Sequence, residues 1–150
     1  MKSFAVIYDQ EYDSRQALSS MLRVIKADKK PAPLQLSYED HKNDIHSLLD
    51  KITGSNAGCV VLFCSPKVSY RLFTLLRDTK TNVPVLGSLS VLNEDVLTES
   101  ELKCFDDGFQ VTSTGWEPKK CRDFIREYEQ KYGRYPGMVA AYAYDGMGLI

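Results

Sequence analysis

Few side chains in this 150-residue chain are of a type that could carry covalent or acid–base chemistry. Cys64 and His41 are a conceivable nucleophile and base, since both stand at the ends of strand-like runs. Thiolate chemistry needs a base or a positive environment within hydrogen-bond reach. Otherwise a cysteine at a strand end is a small packing residue, and the same reading fits all four cysteines, Cys59, Cys64, Cys104 and Cys121. Cys59 and Cys64 fall on opposite faces of one strand, roughly 16 Å apart at ~3.3 Å per residue, which is too far to bridge. Cys104 and Cys121 flank a later strand and could meet. No C-x-x-C occurs, and His41 and His46 lie far from every cysteine, so a metal site has no ligand set. The pairs Glu39-Asp40 and Asp106-Asp107 fit turns better than paired catalytic carboxylates. No G-x-G-x-x-G and no phosphate-binding G-x-x-x-x-G-K follows a strand. The third strand ends in Cys64-Ser65, where a phosphorelay receiver needs an aspartate. These residues imply no cofactor, no metal and no enzyme.

What remains is a surface for binding. Ligands of open α/β sheets sit outside the carboxyl ends of the strands. Tyr12, His41, Ser65, Ser88 and Ser90 place hydrogen-bonding groups on such ends, with Leu89 between the last two. Ser65 also precedes a helix, whose free N–H groups favour an anion. A plain N-cap is the competing role for Ser65.

The elements that must hold these residues are legible from periodicity. Phe4 to Tyr8 is a continuous apolar run, as in a strand buried on both faces. Asp13 opens a helix with Gln16 three residues on, a capping-box pattern, and Leu18, Met21, Leu22 and Ile25 make its apolar face. Pro31 and Pro33 block its continuation. Leu34 to Tyr38 is a second strand, and Ile45, Leu48, Leu49 and Ile52 mark a helix with Gly54 placed as its C-terminal cap. Cys59 to Phe63 is the third strand, followed by Ser65 and Pro66 at a helix start. Val83 to Leu86 is the fourth, with Gly87 ending it. One or two short helices are expected between Val91 and Cys104, and a fifth strand at Phe109 to Thr112. A long helix from Pro118 to Tyr132 stops at Gly133, and another begins near Pro136. Strands alternating with helices predict an α/β fold, a parallel sheet with helices on both faces.

Composition narrows the classes further. The chain is 43% hydrophobic and 26% charged, as expected of a globular domain. Its net charge is −1, with Lys and Arg scattered among acids, and clusters such as Lys29-Lys30 and Lys119-Lys120 read as solvated faces. That pattern lacks the basic footprint of a nucleic-acid binder. The longest apolar stretches, residues 57–63 and 138–144, fall well short of the ~20 residues of a membrane span. No signal segment precedes the first strand. The last helix is apolar around most of its circumference and runs on without a cap, so the chain is expected to be cut from something longer or covered by a partner. A homodimer that exchanges C-terminal helices would bury it.

The order of elements, with particular residues, resembles the second lobe of type I periplasmic solute-binding proteins, the branched-chain amino-acid-binding and extracellular ligand-binding receptor family. Residues 5–13 are similar to that family's opening strand and its aspartate-x-x-tyrosine-glycine turn, with Asp13 in place of the glycine. Residues 52–61 look like its passage from helix to third strand. Phe124, Tyr132-Gly133, Pro136 and Tyr144-Asp145 follow at the family's spacing. The resemblance implies two lobes joined by a hinge. Residues 4–104 would form lobe two, 105–117 the return crossing, and 118–150 a helical segment of the incomplete first lobe. It implies a non-enzymatic periplasmic or extracellular protein that binds an amino acid or similar small solute and passes it to a membrane permease of an ABC uptake system. A ligand-sensing or regulatory domain of the same fold is the alternative. Tyr12 matches the tyrosine of the first turn, Ser65 the third-strand loop, and Ser88 with Leu89 the fourth-strand loop, with His41 added from its own strand end. The acidic residue that often holds an ammonium on the fourth loop has no counterpart in residues 87–90.

Overall fold

A computed structural model describes residues 3–39, 45–79, 83–112 and 121–147. His41 lies outside them, as do Lys119 and Lys120. The chain divides into two compact units, Met1–Thr112 and Ser113–Ile150.

The first unit alternates strand and helix: β1 (Ala5–Tyr8), α1 (Tyr12–Ala27), β2 (Leu34–Ser37), α2 (Ile45–Gly54), β3 (Val60–Phe63), α3 (Pro66–Asp78) and β4 (Val85–Ser88). A 3₁₀ turn (Leu89–Leu92), α4 (Glu99–Cys104) and β5 (Phe109–Thr112) complete it. All five strands are parallel, in the order β2-β1-β3-β4-β5. Ala5 faces Leu34 on one side and Val60 on the other, and Val85 lies between Val60 and Phe109. The chain steps from β1 outward to β2, then reverses across β1 to β3. Connections leave β1 and β3 in opposite directions, and a crevice opens between their carboxyl ends.

Burial explains this sheet. Ala5, Val6 and Ile7 are all fully buried, so the central strand is covered on both faces. One apolar cluster takes Ala5 and Ile7 from β1, and Val60 and Leu62 from β3, the period of two that puts them on one face. Leu48, Leu49 and Ile52 of α2 and Leu72, Phe73 and Leu76 of α3 pack onto that cluster. Helix α1 lies against β1 and β3. Burying one such side chain contributes about 1.5–3 kcal/mol. At the far edge Phe109 packs edge-on against Phe73 and Phe105. Arg77 of α3 donates to the carbonyls of Val83 and Gly108, which ties α3 to the approaches of β4 and β5. A capping box opens α4: the Thr98 hydroxyl accepts from the Glu101 N–H while the Glu101 carboxylate accepts from the Thr98 N–H. Lys67 of α3 binds that carboxylate at 2.8 Å.

Several boundaries differ from expectation, each for a local reason. Gly87 does not end the fourth strand; it is the third residue of β4, and Pro84 stands before the strand. A Cβ on Gly87 would come within 2.4 Å of the Phe109 ring. The glycine is a place where two neighbouring strands approach across an aromatic ring. Gly54 is the last turn of α2, and the left-handed residue beyond it is Asn56 (φ 54°). The first helix begins at Tyr12, one residue before Asp13, with Glu11 at its N-cap position and no side-chain capping bond there. All four cysteines are free, and packing does not account for each: Cys64 is buried, Cys59 and Cys121 half-buried, and Cys104 exposed.

In the second unit α5 (Arg122–Tyr132) ends at Gly133, whose left-handed backbone (φ 67°) lets its N–H bond the Glu129 carbonyl. Helix α6 (Met138–Met147) follows. Phe124 stacks on Tyr144 with centroids 4.4 Å apart, and Tyr128 and Tyr132 extend the aromatic row along α5. Tyr132, Tyr144 and Met147 stay exposed. No helix among the described residues is long and apolar enough to cross a membrane.

Candidate functional site

The carboxyl ends of the strands meet around Asp9, the residue after β1. Its carboxylate is buried, with 6% of the residue exposed. One oxygen accepts from the Glu11 N–H at 3.2 Å and the other from the Ser65 N–H at 2.5 Å. A single side chain therefore satisfies backbone donors at the starts of both α1 and α3, where negative charge is favoured by the helix dipoles. At the start of α3 the chain's own carboxylate thus takes the N–H of the N-cap residue, Ser65. Ser65 does occupy the N-cap position with Pro66 behind it, but its hydroxyl makes no capping bond.

Beside Asp9 lies Cys64, 4% exposed, whose thiol donates to the Ile7 carbonyl at 3.5 Å. Burial pushes its pKa far up, and the Asp9 charge adds to that shift against a partly offsetting backbone hydrogen bond. The thiol is thus held protonated, the opposite of what a nucleophile requires. Ser69 donates to the Cys64 carbonyl at 3.1 Å and fixes this corner of α3 on β3.

A cleft of about 230 Å³ opens over these strand ends, lined by Asp13, Ser14, Ala17, Phe63, Cys64, Ser88 and Ser90. Its floor is Phe63 and Cys64 from the end of β3. One wall is the first turn of α1. The other is the end of β4 and the 3₁₀ turn after it, where Ser88 and Ser90 share a hydrogen bond of 2.7 Å. Nearby, Gln10 reaches to the Ser37 hydroxyl at 2.8 Å and closes the surface toward β2.

Of the residues expected from sequence, Ser88 lines the cleft, and so does Ser90. Tyr12 begins α1 and projects into solvent, 68% exposed, outside the lining. Ser65 and Leu89 are half-buried beside the cleft without lining it. His41 lies outside the described residues. The lining adds Asp13 and Ser14, which were read as part of a helix start or not at all. A signal for Ser14 was present: it stands one turn before Leu18, so the apolar stripe of α1 extended backwards runs through it. No group of three or more described His, Cys, Asp or Glu residues could hold a metal ion.

No family model and no curated protein matches the chain. Solved structures do. The periplasmic binding protein type 1 from Bordetella pertussis superposes with a TM-score of 0.71 at 17% identity, over 88% of this chain and 36% of its own. The chain has the fold of a type I periplasmic binding protein. The leucine-binding protein LivK from Thermotoga maritima gives a TM-score of 0.73 at 16% identity, over 96% of this chain and 42% of its own. The fatty acid ABC transporter substrate-binding protein from Thermomonospora curvata gives 0.70 at 16%, over 90% and 36%. The chain spans less than half the length of these structures.

Proposed function

We propose that the chain is part of a two-lobed, non-enzymatic solute-binding protein that holds a small molecule in the crevice at the carboxyl ends of β1, β3 and β4. Residues 4–104 make lobe two, 105–117 the return crossing, and 118–150 part of lobe one. The observation that carries this reading is the polar, solvent-open cleft at the topological switch point, on a fold shared with proteins described as leucine-binding and as fatty acid substrate-binding. Ser88 and Ser90 offer hydroxyls to the solute, Phe63 an apolar floor, and Tyr12 at the rim a side chain to close over it. Hinge closure brings the second lobe onto the solute. Capture outside the cytoplasm and delivery to a membrane permease follow from the same likeness. The buried, protonated Cys64 argues against thiol catalysis.

The test is calorimetric titration of the full-length gene product with amino acids, medium-chain fatty acids, alkylamines and sugars. Binding by one class is expected, weakened about fivefold or more by Ser88→Ala, the loss of one hydrogen bond worth ~1 kcal/mol. A full-length product that binds none of them overturns the proposal.

A further inference from the structure

Asp9 does not line the cleft, whose floor is Phe63 and Cys64 and whose α1 wall is Asp13, Ser14 and Ala17. Its carboxylate nevertheless holds the backbone of both. The Glu11 N–H that it accepts belongs to the N-cap residue of α1, two residues before Asp13. The Ser65 N–H that it accepts belongs to the N-cap residue of α3, next after Cys64. Each of those residues opens its helix in turn: the Glu11 carbonyl accepts from the Arg15 N–H at 3.1 Å and the Ser65 carbonyl from the Ser69 N–H at 2.9 Å. One carboxyl group therefore spans wall and floor. The backbone adds a further tie, from the Asp9 N–H to the Phe63 carbonyl at 3.3 Å. Asp9 is buried, so water competes little for either oxygen. Bonds from backbone N–H to a carboxylate are about twice as strong as neutral ones. The geometry demands two acceptors at once. An amide of the same size offers one, and its N–H₂ group would face an N–H donor.

We propose that Asp9 is the positioning residue of this cleft: it touches no solute, but its carboxylate fixes the first turn of α1 against the end of β3 and so sets the gap a solute must fill. This rests on the solute-binding reading above. It makes the lobe's half of the site pre-formed, with its order established on folding rather than on binding, and leaves hinge closure as the movement that completes it. A binding constellation keeps its affinity only when supporting residues hold it to within about 0.5 Å.

The experiment compares the full-length gene product with three variants. Asp9→Asn removes one of the two acceptors. Glu11→Pro removes the wall donor and leaves the carboxylate in place, at a backbone angle (φ −61°) that proline accepts. Ile52→Val is the control: Ile52 is buried in α2, outside the lining, and loss of its methylene lowers stability without touching wall or floor. Leucine, decanoate, hexylamine and ribose are titrated by calorimetry, and hydrogen exchange is followed by mass spectrometry in segments 11–15, 45–54 and 65–69. The probe that binds the wild type should bind Asp9→Asn about tenfold or more weakly, and Glu11→Pro should reproduce much of that loss. Exchange should quicken in 11–15, 65–69 or both, while 45–54 shifts no more than urea unfolding accounts for. Ile52→Val should leave affinity unchanged. Undiminished affinity in Asp9→Asn or Glu11→Pro, a loss without faster exchange at either helix start, or a matching loss in Ile52→Val overturns the positioning role while solute binding stands. If none of the four probes binds the wild type, the solute-binding reading falls and the positioning role falls with it.

Discussion

Gly87→Ala should destabilise the first unit, and Phe109→Leu should remove most of that penalty. A Cβ on residue 87 would lie 2.4 Å from the Phe109 Cζ and 3.1 and 3.3 Å from its two Cε atoms. Carbon atoms in comfortable contact are about 3.5–4.0 Å apart, so the ring would have to retreat by more than about 1 Å. It has little room, because Phe73 packs edge-on at 5.4 Å and Phe105 at 4.8 Å between centroids. Overpacking of this kind costs about 1–3 kcal/mol. Replacing a strand glycine returns about 0.5–1 kcal/mol of backbone entropy. The net cost should be about 1–2 kcal/mol. In a Phe109→Leu background the clash is gone and only the entropy gain remains, so the same substitution becomes neutral or mildly stabilising. Urea unfolding of the four chains, wild type, two singles and the double, gives the coupling as a shift in midpoint at constant slope. Equal costs in both backgrounds would refute the steric account of Gly87.

Three further outcomes follow from the same geometry. Asp9→Ala strips the capping acceptor from two helix starts and leaves the Glu11 and Ser65 N–H groups without it; the loss should be about 2–4 kcal/mol in urea unfolding, with Asp9→Asn milder. Native-state thiol labelling at neutral pH should modify exposed Cys104 quickly and buried Cys64 only after unfolding, read by mass spectrometry of the labelled peptides. Glu101 is depressed from its ordinary 4.5 to about 2 by the Lys67 ammonium and by its bonds to Thr98. Because the folded value is the lower one, its contribution is complete above about 4.5 and is lost as pH falls through about 2. Thermal melts across that window should decline less steeply in Glu101→Gln than in wild type.

The strands were legible wherever burial on two faces leaves a continuous apolar run. Residues 4–8 and 59–63 announce β1 and β3 this way, and 109–112 fits β5 to the residue. Boundaries were less legible where a residue's role depends on a distant neighbour. Gly87 looks like a strand terminator until Phe109 is seen to occupy the space of its Cβ. Asp13 looks like an N-cap because its spacing to Gln16 fits, yet Asp9 does the capping for two helices at once. No local pattern shows that, since Ser65 lies on a different element. For the cleft lining, the strand-end rule led to Ser88 and Ser90, while Asp13 and Ser14 were not singled out because a helix's first turn was treated as an element boundary rather than as a wall. Tyr12 was singled out by the strand-end rule and again by resemblance, and it lies outside the lining.

The strand of this sheet that is made first is an interior one. Ala5 cannot be flanked on both sides until Leu34 and Val60 have both been synthesised. At ~5–20 residues per second, and allowing for chain still inside the ribosome, this apolar segment waits several seconds for its second neighbour. During that interval residues 4–8 are an exposed adhesive strand on a nascent chain. Slower translation just after the codons for β2 would lengthen the exposure, and a chaperone that engages short apolar segments early would shorten its consequences. Yield in the cell should therefore depend on the pace of synthesis between residues 38 and 63 more than on that of any later stretch.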